Sequence, residues 1–378
     1  MFYFLNYAYN PNTAATNRTL AYLKGLSELG IKTKVEFFLT NITKSKISQN
    51  YPNIDINYRW DKWYYINHKF AKHIYYVFSV ISFIMHLKKG DTVYMYNMAD
   101  VLHWVLKKKG INVYIEKTEH PSIYPLGSHV YRPSIEIYKH DCKKATGIIT
   151  ISTSLVNFFT SEAGIDKQKI KIINMIVDEG RFIKQRPLLK ELPYFSYCGT
   201  VSTYKDGVDV LIKAFAFFCQ KHSGYQLRIA GKFYTPKDEK IIKGLVNNYK
   251  LENSVIFEGE VPSNQMPSFL MGAHAVVLSR PDNIQARNGF PGKLGEYLLS
   301  RSPVIVTSVG DIPLFIKDKE SGILIKPDSV EDLTNALCWV VEHPDEAKSI
   351  GEKGERLAKK SFNYLIETKK LIDFMGVR

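Results

Sequence analysis

Short, mostly apolar runs recur along this chain, each followed by a segment with helical spacing. In the second half the runs are Phe195–Cys198, Gln226–Ala230, Val255–Phe257, Ala273–Leu278, Val304–Thr307 and Gly322–Leu324. Helix-patterned stretches at Gly207–Cys219, Lys237–Tyr249, Met266–Met271 and Lys293–Ser300 lie between them. A strand buried on both faces reads as a continuous apolar run, and strands joined by crossover helices run parallel. The first half alternates in the same way. Tyr3–Tyr9 is a strand, Asn10–Thr16 a loop, Asn17–Leu29 a helix ending at Gly30, and Ile31–Leu39 the next strand. Thr92–Tyr96, Val113–Glu116, Gly147–Ile151 and Ile170–Ile173 follow as strands, with helices at Ala99–Lys109, Tyr131–Lys144 and Ser152–Ala163. The pattern predicts an α/β protein of two Rossmann-like, doubly wound domains. Val330–Glu342 and Asp345–Lys359 are further helices, and Tyr364–Phe374 is a separate amphipathic one.

A length of 378 residues suits two cores rather than one. The four cysteines, Cys142, Cys198, Cys219 and Cys338, have no close pairs, which excludes zinc-ribbon spacing and points to buried thiols in a reducing compartment. The chain opens on Phe2-Tyr3-Phe4-Leu5 with no basic leader, so no signal peptide is expected. Charge is uneven: residues 1–190 carry 27 Lys and Arg against 14 Asp and Glu, whereas residues 191–378 carry 24 against 23. The basic half is built to meet something anionic, with nucleic acid, a membrane surface and an anionic substrate as the candidates.

Between Asp61 and Lys89 aromatic residues interleave with basic ones: Trp63, Tyr64, Tyr65 and Phe70 beside Lys62, His68, Lys69 and Lys72. Rings at a headgroup boundary with ammonium groups toward anionic lipid make an interfacial helix, and a buried aromatic helix explains Trp60–Lys72 equally well. Ile74–Met85 is apolar nearly all round, so core burial is expected there, and it is too short to span a bilayer.

The stretch Asn288-Gly-Phe-Pro-Gly-Lys-Leu-Gly-Glu296 follows a buried strand and leads into a helix pattern. A glycine-bearing turn before a helix N-terminus offers free N–H groups and a positive dipole end, and Lys293 adds a full charge there. From about Gly147 the chain resembles the family-4 glycosyltransferases of the GT-B fold. The resemblance is carried by Gly147–Leu155, Ile172–Asp178, Tyr197-Cys-Gly-Thr200 with Lys205–Phe215, and Gly289–Val306, in family order over more than half the chain.

The resemblance implies two domains facing across a cleft, with the C-terminal helix returning to the first. Residues 1–178 would form an acceptor-side domain, 179–192 a linker, 193–360 the nucleotide-sugar domain and 361–378 the returning helix. It implies a retaining transferase that takes a sugar from a nucleoside diphosphate donor to a glycan or lipid-linked glycan acceptor. The implied place is cytoplasmic or peripheral on the inner membrane face. Implied catalytic groups are His120, Lys205 and Lys293. Implied donor contacts are Gly199, Thr200, Asn288, Gly289, Phe290, Pro291, Gly292, Leu294 and Glu296, the last accepting from ribose hydroxyls. Arg280 and Arg287 would reach donor phosphate or sugar, and Ala14, Ala15 and Thr16 would line the acceptor loop.

Two departures from the family pattern stand out. Thr200 and Asp206 occupy places where arginine and lysine are usual, with Lys205 one position earlier, and Asn288 replaces the first of two glutamates. No Asp-x-Asp occurs, so no cofactor or metal is expected and protein cations receive the leaving diphosphate. Two other readings use the same sequence. A sugar-nucleotide epimerase would share the architecture. A nucleic-acid binder would exploit the basic half, but no helix-turn-helix, zinc-finger or RNA-recognition signature is present, so no nucleic-acid partner is expected.

Overall fold

The computed structural model describes residues 1–6, 14–38, 46–47, 49–59, 69–96, 106–123 and 135–378. The expectations for residues 7–13, Trp60–His68, Ala99–Val105 and Tyr131–Ser134 lie outside these. The chain divides into two compact units, Met1–Ile176 with Tyr364–Arg378, and Val177–Asn363.

The first unit holds a seven-stranded parallel sheet. Its strands are β1 (Phe2–Asn6), β2 (Thr33–Phe37), β3 (Ile54–Tyr58), β4 (Thr92–Tyr96), β5 (Asn112–Lys117), β6 (Gly147–Thr150) and β7 (Ile170–Ile172), in the order β3-β2-β1-β4-β5-β6-β7. The order turns back at β1, as doubly wound sheets do. The edge strand β3 is absent from the sequence reading, although its alternation of half-buried Ile54, Ile56 and Tyr58 with exposed Asp55 and Asn57 is the signature of a strand with one wet face. Ala14, Ala15 and Thr16 form the first turn of the helix Ala14–Glu28 rather than a loop.

That helix packs on the C-terminal helix Tyr364–Met375, as the resemblance implied. The approach is so close that a Cβ on Gly25 would sit 2.3 Å from Thr368 Oγ1. Tyr364 donates its hydroxyl to the Glu28 carboxylate at 2.8–2.9 Å, while Leu371 and Ile372 join Phe4, Tyr22 and Tyr94 in one core.

Burial of Ile74–Met85 is corrected. In the helix Lys69–His86, Phe83 is buried against Tyr3 and Phe38, but Ile74, Val77, Phe78, Ile81 and Met85 are exposed. An all-round apolar pattern says nothing about which side meets a neighbour, and here the sheet covers only one side.

The second unit holds six parallel strands: β8 (Tyr194–Cys198), β9 (Gln226–Ala230), β10 (Val255–Gly259), β11 (Ala275–Leu278), β12 (Val304–Thr307) and β13 (Ile323–Ile325), in the order β10-β9-β8-β11-β12-β13. Every residue of β11 and β12 is buried, as runs that are apolar in all but Thr307 require. Helices start where a side chain can accept an orphan amide: Ser202, Thr235, Asn283 and Ser329 each cap one. The segment read as a linker is built into this unit, with Val177 bridging Asn363 and Leu188 N–H donating to Ser268 O at 2.8 Å. No disulfide joins the four cysteines.

Candidate functional site

Strand β8 ends at Cys198, and after Gly199 the chain turns into the short helix Thr203–Asp206. The turn closes at Gly207, whose φ of 60° is left-handed and where a Cβ would stand 2.2 Å from Ser279 O. Glycine is therefore required there on both counts. The result is an inward-pointing Asp206, only 2% exposed.

Asp206 Oδ2 accepts from Lys293 Nζ at 2.6 Å and lies 2.7 Å from the Tyr197 hydroxyl. Lys293 also donates to the Tyr197 hydroxyl at 3.3 Å. Its ammonium occupies the space in front of Gly199, 1.9 Å from where a Cβ would be. No side chain fits at 199 while Lys293 holds this position. Arg280 Nε stands 3.9 Å from Asp206 Oδ1 and is itself 5% exposed. Burial pushes the Asp206 carboxyl up, but Lys293 and Arg280 outweigh it and the group is held below the ordinary aspartate range. Asp206 is thus an anion wedged under two cations. Burial likewise drives the Tyr197 phenol well above its usual value, and Asp206 adds to the shift, so the hydroxyl stays protonated.

The turn before Leu294 supplies the next contacts. Gly289 lies on the Arg280 guanidinium, with a would-be Cβ 3.6 Å from Nη2 and 2.8 Å from Gln285 O. Leu294 N–H is spent on Pro291 O at 3.0 Å, so the amides left to meet a ligand are those of Gly292 and Lys293. The helix expected over Lys293–Ser300 spans Leu294–Leu299, and six residues contribute little macrodipole. Leu294 is fully buried. Glu296 is held by Arg181, which also donates to Ser263 O at 2.9 Å and Ser263 Oγ at 3.0 Å.

The other residues singled out in this unit fall into distinct environments. Lys205 is half-buried, and its ammonium meets no acceptor among the described residues. Thr200 offers its carbonyl oxygen to the Tyr197 hydroxyl at 2.6 Å. Asn288 donates to Ile284 O at 2.8 Å, closing the helix Ile284–Asn288. Arg287 is exposed and forks onto Asp282 at 2.5 and 2.8 Å rather than joining the Asp206 group. Phe290 packs between Phe315 and Phe362, at 5.4 and 5.8 Å between ring centroids, and is 6% exposed. Reasoning from sequence passed over Arg181, Tyr197 and the role of Asp206. Asp206 lies 87 residues from Lys293, and Arg181 lies 115 from Glu296.

Among the described residues, His222, Cys338 and Glu342 place one ligand atom each within 4.8 Å of one another. His222 Nε2 already meets Glu342 Oε1 at 3.2 Å, and burial pushes the Cys338 thiol up, away from the thiolate a metal needs. The trio reads as a contact between two helix ends.

In the first unit, His120 follows β5. Its ring sits edge-on to Phe158 at 4.6 Å, and Nδ1 meets the Ser122 hydroxyl. Burial lowers its pKa, Glu162 draws it partly back and Lys139 lowers it further, leaving a neutral imidazole near pH 7. Glu116 proves to be fully engaged. Arg18 Nε donates to it at 2.6 Å, the Tyr94 hydroxyl donates to its other oxygen, and the carboxylate is 4% exposed. Thr16 is buried and Ala15 O accepts from the Thr19 hydroxyl at 3.0 Å.

Residues 178–357 match the family model described as glycosyl transferases group 1. The colanic acid biosynthesis glycosyltransferase WcaL of Escherichia coli is 23% identical over 214 residues, covering 56% of this chain and 52% of that protein. The chain spans about half the length of the curated relatives it matches, or less. Among solved structures, sucrose-phosphate synthase from Thermosynechococcus elongatus superposes with a TM-score of 0.77 at 15% identity, covering 99% of this chain and 98% of that one. Anabaena HepE, solved in complex with UDP, gives 0.74 at 15% identity, with 99% of each chain covered. These likenesses show the fold, that of the GT-B glycosyltransferases expected from the motif order. Through the match over residues 178–357, the second unit of this chain belongs to the glycosyl transferases group 1 family.

Proposed function

We propose that this protein is a retaining glycosyltransferase that takes a sugar from a nucleoside diphosphate donor. The acceptor is a glycan or lipid-linked glycan at the cytoplasmic face of a membrane. The observation that carries the reading is Lys293, fixed by Asp206 and Tyr197 in front of the side-chain-free Gly199. Two of its three N–H groups are occupied, and the third has no acceptor among the described residues. Its charge is therefore placed before any ligand arrives, and a departing diphosphate completes its coordination. Lys205 and the amides of Gly292 and Lys293 add donors. Glu296, steadied by Arg181, accepts from the ribose. The neutral His120 is suited to a hydrogen bond with a sugar hydroxyl.

As the glycosidic bond breaks, the diphosphate keeps the bonding electron pair. Its oxygen takes the proton of the acceptor hydroxyl, which bonds to the anomeric carbon from the same face. No dedicated base is needed, in contrast to the carboxylate pair of glycosidases. With no Asp-x-Asp in the chain, we assign charge neutralisation to protein groups and no cofactor or metal to the reaction. HepE and WcaL support the donor class and the polysaccharide setting.

A thermal-shift screen of nucleoside diphosphates and their sugars tests this. A ligand at a hundred times its Kd stabilises the folded form by about 2.7 kcal/mol. UDP should raise the melting temperature of the wild type by clearly more than that of Lys293→Ala. Glu296→Ala should weaken the shift, and equal shifts in all three proteins would remove the turn from the site. Incubation with donor alone separates transfer from epimerisation, since an epimerase changes the sugar without an acceptor.

A further inference from the structure

The donor reading leaves unused the exposed face of the helix Lys69–His86. Ile74, Val77, Phe78, Ile81 and Met85 recur at three- and four-residue intervals, so they form one stripe. They are 40, 52, 63, 47 and 69% exposed. Single exposed apolar residues are ordinary, but a stripe of five marks a contact surface. The helix is about 27 Å long by its rise per residue and carries no acidic residue.

Its C-terminal end is basic. Lys88 and Lys89 follow it and are exposed. Gly90 N–H donates to Gly110 O at 3.0 Å, which brings exposed Lys107 to the same end. Lys109 closes the helix by donating to Leu87 O at 2.9 Å. Two carboxylates of the same unit are committed elsewhere: Asp91 to the Met1 ammonium at 3.1 Å, Glu36 to Arg59 at 2.7 Å. The whole first unit carries 26 Lys and Arg against 14 Asp and Glu.

We propose that this stripe is the membrane-docking surface of the protein, and that it lies flat on an anionic bilayer with Phe78 and Met85 inserted among the acyl chains. Lys88, Lys89 and Lys107 face the lipid phosphates. Among the described residues no helix is long and apolar enough to cross a membrane, so the helix rests on the surface and does not span. The charge excludes self-association as the better use of the stripe, because a second copy presents the same positive unit to the first. The surface names the partner for the membrane-side part of the function proposed above, and rests on that reading only for the location of the acceptor.

Flotation with vesicles tests it without donor or acceptor. The full chain is mixed with phosphatidylcholine vesicles with and without phosphatidylglycerol, at low and high salt. Binding should need phosphatidylglycerol and fall with salt. Phe78→Ser and Met85→Ser should each weaken it about ten-fold, and Lys88→Glu and Lys89→Glu at least about five-fold each. All four side chains are exposed, so melting temperature and UDP response should match the wild type. Binding that persists in the Phe78→Ser/Met85→Ser protein overturns the proposal. So does an absence of binding, and so does a dimer in sedimentation that Phe78→Ser dissociates. A normal UDP shift beside lost flotation separates failure at this surface from failure of the donor site.

Discussion

Each unit buries a carboxylate against a cation, and the two pairs are finished differently. In the first, Arg18 binds Glu116 and donates three further N–H groups to Ile173 O, Asn174 O and the Tyr22 hydroxyl, at 2.7, 3.3 and 3.0 Å. The Tyr94 hydroxyl closes the other side of Glu116. In the second, Lys293 reaches Asp206 and Tyr197 and keeps one N–H in hand, with 22% of its side chain exposed against 11% for Arg18. A closed pair positions backbone; an open one positions charge. A buried ion pair alone therefore says little about function, and the exposure of its cation says more.

The largest expected effect is on the closed pair. Glu116→Gln or Arg18→Met leaves a buried charge without its partner and should cost about 3–5 kcal/mol in urea unfolding, with UDP response retained in the folded fraction. A loss confined to activity would make Glu116 a site residue and break the contrast. Next is Lys293→Ala. Loss of a charge-assisted contact of about 1.5–3 kcal/mol should lower UDP affinity roughly ten- to hundred-fold, with a smaller effect on stability. Equal losses in both measurements would make the two pairs alike.

Acid should distinguish the pairs more finely. Asp206 is depressed in the folded state, so its contribution is present above the unfolded value of about 4 and is lost as pH falls through the lower folded value. Asp206→Asn should flatten the stability curve in that range, and an unchanged slope would show that Lys293 and Arg280 do not hold the carboxylate. The smallest effect is on chelation: EDTA should leave turnover unchanged, whereas abolished turnover would assign the diphosphate to a metal.

Buried parallel strands were legible because β11 and β12 have no wet face to interrupt their apolar runs. Edge strand β3 was missed because only alternate residues are apolar, and five residues of alternation are a weak signal. Side-chain destinations were harder to read. Phe290 lies within a motif that suggests ligand contact, yet turns inward to Phe315 and Phe362. Arg181 looked like linker, and its bond to Glu296 spans 115 residues that local pattern cannot connect. Lys293 was identified from its turn, but its anchor at Asp206 appeared in the sequence only as a departure from the family pattern.

The fit of Thr368 over Gly25 has a consequence for how the molecule is made. Tyr364, Leu371, Ile372 and Met375 complete a core begun by Phe2 and Phe4, so a nascent chain emerging from the ribosome holds the first sheet open while the second unit is synthesised and folds. The part translated first is sealed last, and a stop codon just before Tyr364 would leave that early-made core exposed to chaperones and proteases.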